Sequence, residues 1–324
     1  MSSTTIRPVS TPVDRRTLAG VGYGLGAGAL WGFVFLAPQL VSGFGPLHLA
    51  VGRYLFFGSI ALALLAPRWR EVSTHLGRRE WLQLAGLAFA GNTLHFILLT
   101  AAVQQGGVAM AALVVGFLPV TVTIVGSRES GSIPLRKLAP SLLLCVAGAI
   151  CIGWQSLAAA STTSLTQQLL GLACALGALV TWTIFAVGNT RTLKSVQVSA
   201  QDWNLLVGLV TGAQSLLLVP FALALDGGNH LASDWIRLAS VCAGLAVMAS
   251  IFGNALWNRM CRLLPLTLVG QMILFQTVFA LLYGFLWAQR LPTLLELAAL
   301  GLLVASVFSC LSAHRRASAG NMAT

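Results

Sequence analysis

Charged residues are scarce in this sequence. Only 8% of its 324 residues are Asp, Glu, Lys or Arg, and only eight are acidic. Soluble globular domains carry about 25% charged residues, so the composition excludes a water-soluble enzyme and a disordered chain. The net charge is +11, but the 19 Lys and Arg residues lie in short clusters between apolar runs. Together with an apolar fraction of 57%, this pattern indicates an integral membrane protein rather than a nucleic-acid-binding one.

Signals for metal and nucleotide chemistry are also missing. No segment matches the phosphate-binding pattern GxxxxGK[ST], which excludes ATP hydrolysis by this chain. The six cysteines lie far apart and lack the spacing of metal ligands. We therefore expect no cofactor and no metal. The expected partners are a small-molecule substrate and membrane lipid, with the chain acting as a monomer or weak dimer.

Long apolar runs dominate what remains. A bilayer core of about 30 Å needs about 20 apolar residues in a helix, and ten runs of that kind occur in the sequence. They predict an all-α protein with ten transmembrane helices at 18–41, 46–66, 80–103, 107–126, 138–157, 168–190, 203–225, 235–257, 264–287 and 292–313.

The distribution of positive charge predicts the orientation. With the N-terminus inside the cell, 16 of the 19 Lys and Arg residues fall in cytoplasmic segments. Arg237 and Arg290 fall outside, and Arg53 lies within a helix. Because cytoplasmic loops of membrane proteins are enriched in Lys and Arg, both termini are expected in the cytoplasm.

The two halves of the sequence resemble one another. A shift of 151 residues places Leu18 on Leu169 and Trp31 on Trp182, and later matches need slightly larger shifts. Five helices per half would make the second repeat inverted, an arrangement found in many secondary transporters. We expect a cytoplasmic tail (1–17), a first repeat (18–157), an outer linker (158–167), a second repeat (168–313) and a cytoplasmic tail (314–324).

These features resemble the EamA family of the drug/metabolite transporter superfamily. The resemblance is carried by Ala29-Leu30-Trp31-Gly32, by Pro46 followed by Arg53, and by Leu118-Pro119-Val120. The second half departs from the pattern, with Asn204 in place of the aligned arginine and Gln276 in place of the proline. The resemblance implies a multi-pass protein of the bacterial inner membrane. Members move amino acids, sugars and nucleotide precursors, often outward, and the exporters of aromatic and neutral amino acids are most similar.

Arg53 is the first candidate for substrate binding. It lies about two turns inside the second predicted helix, and no Asp or Glu lies at the same depth. Charged residues at such depth are costly and commonly functional. Arg53 either faces a cavity and binds a carboxylate through its planar guanidinium, or extends toward the membrane surface.

Two polar residues of the third predicted helix are further candidates. His95 lies close to Asn92, and it either contacts substrate, with or without carrying a proton, or bonds to a neighbouring helix as a neutral side chain. Trp31 and Trp182 occupy equivalent positions in the two repeats. They form either aromatic walls of the cavity or packing at the repeat interface.

The remaining candidates are neutral. Gln271 and Gln276 of the ninth predicted helix are expected substrate contacts. Because they are five residues apart, which is more than one helical turn, their side chains point in different directions. On the first helix a small-residue face, which includes Gly24, Gly28 and Gly32, predicts close helix packing or sliding. Pro119 predicts a bend in the fourth helix, either a hinge or a fixed kink.

The sequence as a whole predicts a secondary transporter rather than an enzyme. We expect it to export or exchange small metabolites, most of all amino acids including aromatic ones, by alternating access around a midplane cavity. The absence of acidic residues deep in helices 1–9 disfavours a proton-coupled exporter of lipophilic cations. One alternative is a sugar or nucleotide-precursor carrier of the same fold. Another, from a different class, is an integral membrane enzyme or a scaffold.

Overall fold

A computed structural model describes residues 15–129, 132–158, 164–225 and 228–321. Within these ranges the chain is all-helical and forms no strand, as the composition predicts. Most of the predicted tail 1–17, the middle of the predicted linker 158–167 and residues 322–324 lie outside the described residues.

The helical elements follow one another with short connections. The α-helices are α1 (Arg15–Gly32), α2 (Ala37–Leu40), α3 (Pro46–Leu65), α4 (Trp69–Ser73), α5 (Arg78–Ala88), α6 (His95–Val115), α7 (Leu118–Gly126), α8 (Leu135–Ala158), α9 (Leu165–Ser195), α10 (Ala200–Ala224), α11 (Ala232–Leu245), α12 (Asn254–Leu263), α13 (Leu266–Met272), α14 (Leu274–Trp287) and α15 (Leu294–Asn321). Two π-helical segments, π1 (Phe89–Leu94) and π2 (Ala246–Gly253), join α5 to α6 and α11 to α12.

Eight helical segments of the described chain are long and apolar enough to cross a membrane. They are Arg15–Leu40, Pro46–Ser73, Arg78–Gly106, Leu165–Ser195, Ala200–Ala224, Ala232–Leu263, Leu266–Trp287 and Leu294–Ala317. These correspond to predicted spans 1–3 and 6–10. The fifth predicted span corresponds to α8, and the fourth to the end of α6 together with α7.

The chain reverses direction along α9 between Gly106 and Thr121. His95 and Gly106 of α6 lie against Ala178 and Gly171 of α9, so these two segments run antiparallel. The Thr121 hydroxyl of α7 lies 2.8 Å from that of Thr183, about 18 Å from Gly171 along α9. No helix break occurs at 104–106, where the apolar runs predict a boundary, and α6 extends to Val115.

Helices of the first half pack mainly against helices of the second. Helix α1 contacts α12 and α14, and helix α9 contacts α6 and α7 in the corresponding way. Helix α3 crosses α10, and α8 pairs with α15 at the side of the bundle. Each half thus completes the other, and the core lies between them.

Two glycines set the crossing of α3 and α10. A Cβ atom built on Gly58 would lie 2.7 Å from the Cα of Gly212, and one on Gly212 would lie 2.7 Å from the Cα of Gly58. Only residues without a side chain permit so close an approach of two helix backbones.

Both ends of the described chain lie at one end of the bundle, here called the terminal end. Gly20 of α1 packs against Leu264, and the Thr267 hydroxyl lies 2.8 Å from His314 Nε2 of α15. The opposite end, here called the distal end, contains the 41–45 segment that follows α2.

Candidate functional site

A cavity with a volume of about 40 Å³ lies between the two halves. Six of the seven predicted substrate-binding residues line it, namely Trp31, Arg53, Asn92, His95, Trp182 and Gln276. They come from α1, α3, π1, α6, α9 and α14, so the folded chain brings distant segments together at this point.

Arg53 faces this cavity rather than the membrane surface, and its side chain is only 5% exposed. Its Nε donates a hydrogen bond to the Ser250 hydroxyl at 3.1 Å. Its guanidinium carbon lies 4.8 Å from the ring centre of Phe96 and 5.1 Å from that of Tyr54. No carboxylate of the described residues pairs with it. The two terminal nitrogens therefore present an unneutralised cation to the cavity.

Two tryptophans, Trp31 and Trp182, line one wall of the cavity, and a third packs against them from within the core. The Trp31 and Trp182 rings meet edge to face with centroids 6.0 Å apart, and Trp257 lies 5.0 Å from the first and 5.3 Å from the second. The repeat in the sequence predicts Trp31 and Trp182 as equivalent cavity residues. Trp257 was missed because it lies near Arg259 at the end of a predicted span, where tryptophans commonly mark the membrane interface.

The π2 segment fixes the position of this wall. A π-helix leaves backbone carbonyls out of the regular pattern and often occurs at functional sites. The Trp31 indole donates to the Ala249 carbonyl at 3.0 Å and to Asn254 Oδ1 at 3.1 Å. The Asn204 amide donates to the carbonyls of Ser250 and Ile251 at 3.2 and 3.0 Å. Asn204, which replaces the family arginine, therefore supports the segment that holds Arg53 and Trp31.

His95 and Asn92 lie on the opposite half of the cavity lining. His95 Nδ1 lies 3.0 Å from the Ala178 carbonyl, and since a carbonyl can only accept, Nδ1 carries the hydrogen. The neutral imidazole then presents Nε2 as an acceptor. Asn92 Nδ2 points to the Thr211 hydroxyl at 3.5 Å, which leaves its Oδ1 without a donor among the described residues.

Gln276 lines the cavity, but Gln271 does not. The Gln271 side chain is fully buried, and its amide lies 3.0 Å from the Ser306 hydroxyl of α15. Five residues along a helix rotate a side chain by about 140° from its starting direction. The structure therefore places Gln271 at the contact between α13 and α15, away from the other candidates.

The predicted glycine face mediates close packing. Cβ atoms built on Gly24, Gly28 and Gly32 would lie 2.8, 2.5 and 2.9 Å from their nearest neighbours on the second half. Pro119 occupies the first turn of α7, after a break at residues 116–117. A proline there needs no backbone hydrogen bond, so it begins a helix instead of bending one.

Toward the terminal end the cavity is closed by a polar cluster. Asn189 Nδ2 donates to Asn258 Oδ1 at 3.0 Å, and the Trp203 indole donates to Asn189 Oδ1 at 2.8 Å. All three side chains are buried. Ion pairs Arg68–Asp202 at 2.7 Å and Arg191–Glu129 at 2.9 Å lie at the same end.

Two further cavities lie toward the distal end. The first, of about 10 Å³, shares Val34, Phe96 and Leu99 with the cavity between the halves. The second, of about 580 Å³, shares Pro38 and Val103 with the first and reaches the 41–45 segment. Because a volume of about 10 Å³ holds at most about one water molecule, the connection between the other two cavities is narrow in this conformation.

Within the part of the chain that the structure describes, no cluster of three His, Cys, Asp or Glu side chains is arranged to hold a metal ion. The cavity is therefore suited to binding an organic ligand that carries an anionic group and an apolar or aromatic group. Its lining contains no described carboxylate that would act as a general acid or base.

Comparisons with known proteins agree with this architecture. A model of the EamA-like transporter family matches residues 18–154. The inner membrane protein YtfF of Escherichia coli (strain K12) is 30% identical over 304 residues, which cover 90% of this chain and 94% of YtfF. A crystal structure of another protein superposes with a TM-score of 0.69 over 90% of this chain and 97% of its own, at 17% identity. That likeness concerns the fold alone.

Proposed function

Because the chain belongs to the EamA-like transporter family of the drug/metabolite transporter superfamily, we propose that it exports or exchanges amino acids, including aromatic ones, through the cavity described above. The resemblance in sequence motifs and the predicted inner-membrane location are confirmed by the family match, the E. coli relative and the eight candidate spans. Family membership gives a membrane transporter of small molecules. The amino-acid substrate and the mechanism are the proposal.

The proposed architecture is ten transmembrane helices in two inverted repeats, 18–157 and 168–313. The reciprocal packing of α1 on α12 and of α9 on α6 supports the repeat. So do the equivalent positions of π1, between α5 and α6, and of π2, between α11 and α12. Alternating access would then follow from rocking of one repeat against the other.

The proposed orientation places the terminal end in the cytoplasm. Basic clusters flank both ends of the described chain at that end, as the positive-inside rule requires. The large cavity at the distal end then lies on the outer side, and the Asn189–Asn258 contact closes the inner side.

A single observation carries the substrate assignment, namely that Arg53, which no described carboxylate pairs with, lines the same cavity as Trp31 and Trp182. A buried cation is costly unless an anion neutralises it, and a substrate carboxylate would do so. The tryptophan wall would hold an apolar or aromatic side chain. Nucleotide substrates would need more cations than the lining offers. With no carboxylate in that lining, we propose movement down the substrate gradient without proton coupling.

Counterflow into proteoliposomes tests the proposal. Labelled phenylalanine, threonine, a sugar and a nucleotide sugar would be offered to the wild type, Arg53→Ala, Arg53→Lys and the control Arg70→Ala, whose side chain is exposed. We expect amino-acid flux that is lost in Arg53→Ala, reduced in Arg53→Lys because lysine lacks the planar fork, and unchanged in the control or by a pH gradient.

Flux of the sugars alone would overturn the amino-acid assignment. No flux of any compound by folded protein would favour an enzyme or a scaffold.

A further inference from the structure

The orientation of the Asn254 amide is fixed by its partner. An indole N–H can only donate a hydrogen bond, so the Asn254 atom 3.1 Å from Trp31 Nε1 must be the oxygen. The amide nitrogen then points away from Trp31. This nitrogen has no hydrogen-bond partner among the described residues, and it does not belong to the fully buried polar atoms that lack a partner. Since Asn254 lines the cavity, its two N–H groups are available to a ligand.

Asn254 lies next to the cation of the site. It is one helical turn from Ser250, whose hydroxyl accepts the hydrogen bond from Arg53 Nε. Of the five guanidinium donors, only that one is used by the described residues. Arg53 and Asn254 therefore form a donor side of the cavity, with one positive charge and several free N–H groups.

The helix that carries Asn92 and His95 supplies the complementary acceptors. His95 Nε2 and Asn92 Oδ1 are both acceptors without a donor among the described residues. The two residues lie one turn apart, and Phe96, which follows His95, packs under the Arg53 guanidinium. The acceptor side thus borders the donor side directly.

We infer that Asn254 is a second carboxylate-binding residue beside Arg53, and that the site selects carboxylates with an α-amino or α-hydroxyl group. The carboxylate takes the N–H groups of Arg53 and Asn254. An α-amino group donates to both His95 Nε2 and Asn92 Oδ1, and an α-hydroxyl group donates to one of them. The side chain lies against Trp31 and Trp182. This inference rests on the proposed function and adds the basis of substrate selection.

Four probes with the same phenyl group separate these contributions. L-Phenylalanine and L-phenyllactate have both groups, 3-phenylpropionate lacks the α-donor, and phenethylamine lacks the carboxylate. Each would compete with labelled phenylalanine in counterflow. For the wild type we expect phenylpropionate to compete about tenfold more weakly than the first two, because buried acceptors are left without donors. Equal competition by phenylpropionate would overturn the acceptor assignment.

Asn254→Asp tests the donor assignment. The aspartate has the same shape and keeps an oxygen for the Trp31 indole, but it offers no N–H group and adds a negative charge. We expect all three carboxylates to compete at least about tenfold more weakly in this variant than in the wild type. Competition by phenethylamine should not weaken. The opposing result is that the carboxylates compete as strongly in Asn254→Asp as in the wild type while failing to compete in Arg53→Ala. That result would show that Asn254 only positions Trp31. The donor assignment would then fail while the proposed function stood.

Trp31→Phe provides a second variant in case the aspartate does not fold. It keeps an aromatic wall and removes the N–H that orients the Asn254 amide. Competition by the carboxylates should weaken several-fold, and that by phenethylamine should not. Equal weakening of all four probes would mean that Trp31 contributes apolar contact only, which contradicts the proposed orientation of Asn254. Absence of competition by every probe in the wild type would refute the proposed function itself.

Discussion

Gly28→Ala is the most direct test of the helix contact that frames the cavity. A Cβ atom at this position would lie 2.5 Å from Phe275 Cβ and 2.8 Å from the Gln276 backbone nitrogen. Carbon atoms in good contact are about 3.5–4.0 Å apart, so α1 and α14 would have to separate by about 1 Å. Unlike the end of a flexible side chain, backbone atoms cannot rotate away from the contact.

The cost follows from these distances. Overpacking of this kind destabilises proteins by about 1–3 kcal/mol, and the better helix propensity of alanine offsets at most about 1 kcal/mol of that loss. Trp31 and Gln276, which lie within one turn of the contact, both line the cavity. We therefore expect lower thermal stability together with weaker phenylalanine counterflow.

Gly22→Ala is the matched control on the same helix, because a Cβ atom there would meet nothing within 4 Å. It should be as stable as the wild type or up to about 1 kcal/mol more stable, with unchanged counterflow. Thermal unfolding of the two purified variants in the same lipid measures the difference. If Gly28→Ala is as stable and as active as Gly22→Ala, the close packing of α1 on α14 is refuted.

Two other predictions concern single side chains. Gln276→Leu should weaken phenylalanine counterflow because Gln276 lines the cavity. Gln271→Leu should leave the apparent affinity for phenylalanine unchanged because the Gln271 side chain faces α15. Equal losses of affinity in a counterflow titration would contradict the placement of Gln271 outside the cavity. Glu296→Gln should lower thermal stability by about 1 kcal/mol, because it weakens the two bonds to Arg290 at 2.7 and 2.6 Å. A stability equal to that of the wild type would show that the pair contributes nothing.

Several cavity residues were predictable because they contrast with their surroundings. Arg53 and His95 are polar groups in apolar helices, and Trp31 and Trp182 repeat across the two halves. Such residues are costly in lipid, so a folded chain places them inward. The all-helical fold follows from the apolar runs for the same reason.

Other residues could not be placed from the sequence. Segment π2 changes the helical register just before Asn254, so a regular 3.6-residue period assigns the following side chains to the wrong face. Asn254 is therefore hard to assign to the cavity from the sequence. Gln271 shows the converse, since it contacts Ser306 of another helix and no local pattern reveals that contact.

Bromine anomalous diffraction from crystals of the protein with 4-bromophenylalanine would locate the substrate site. We expect bromine density against Trp31 and Trp182, with the ligand carboxylate against Arg53. Bromine density elsewhere, or an empty cavity at a ligand concentration that saturates counterflow, would contradict the assignment of this cavity as the substrate site.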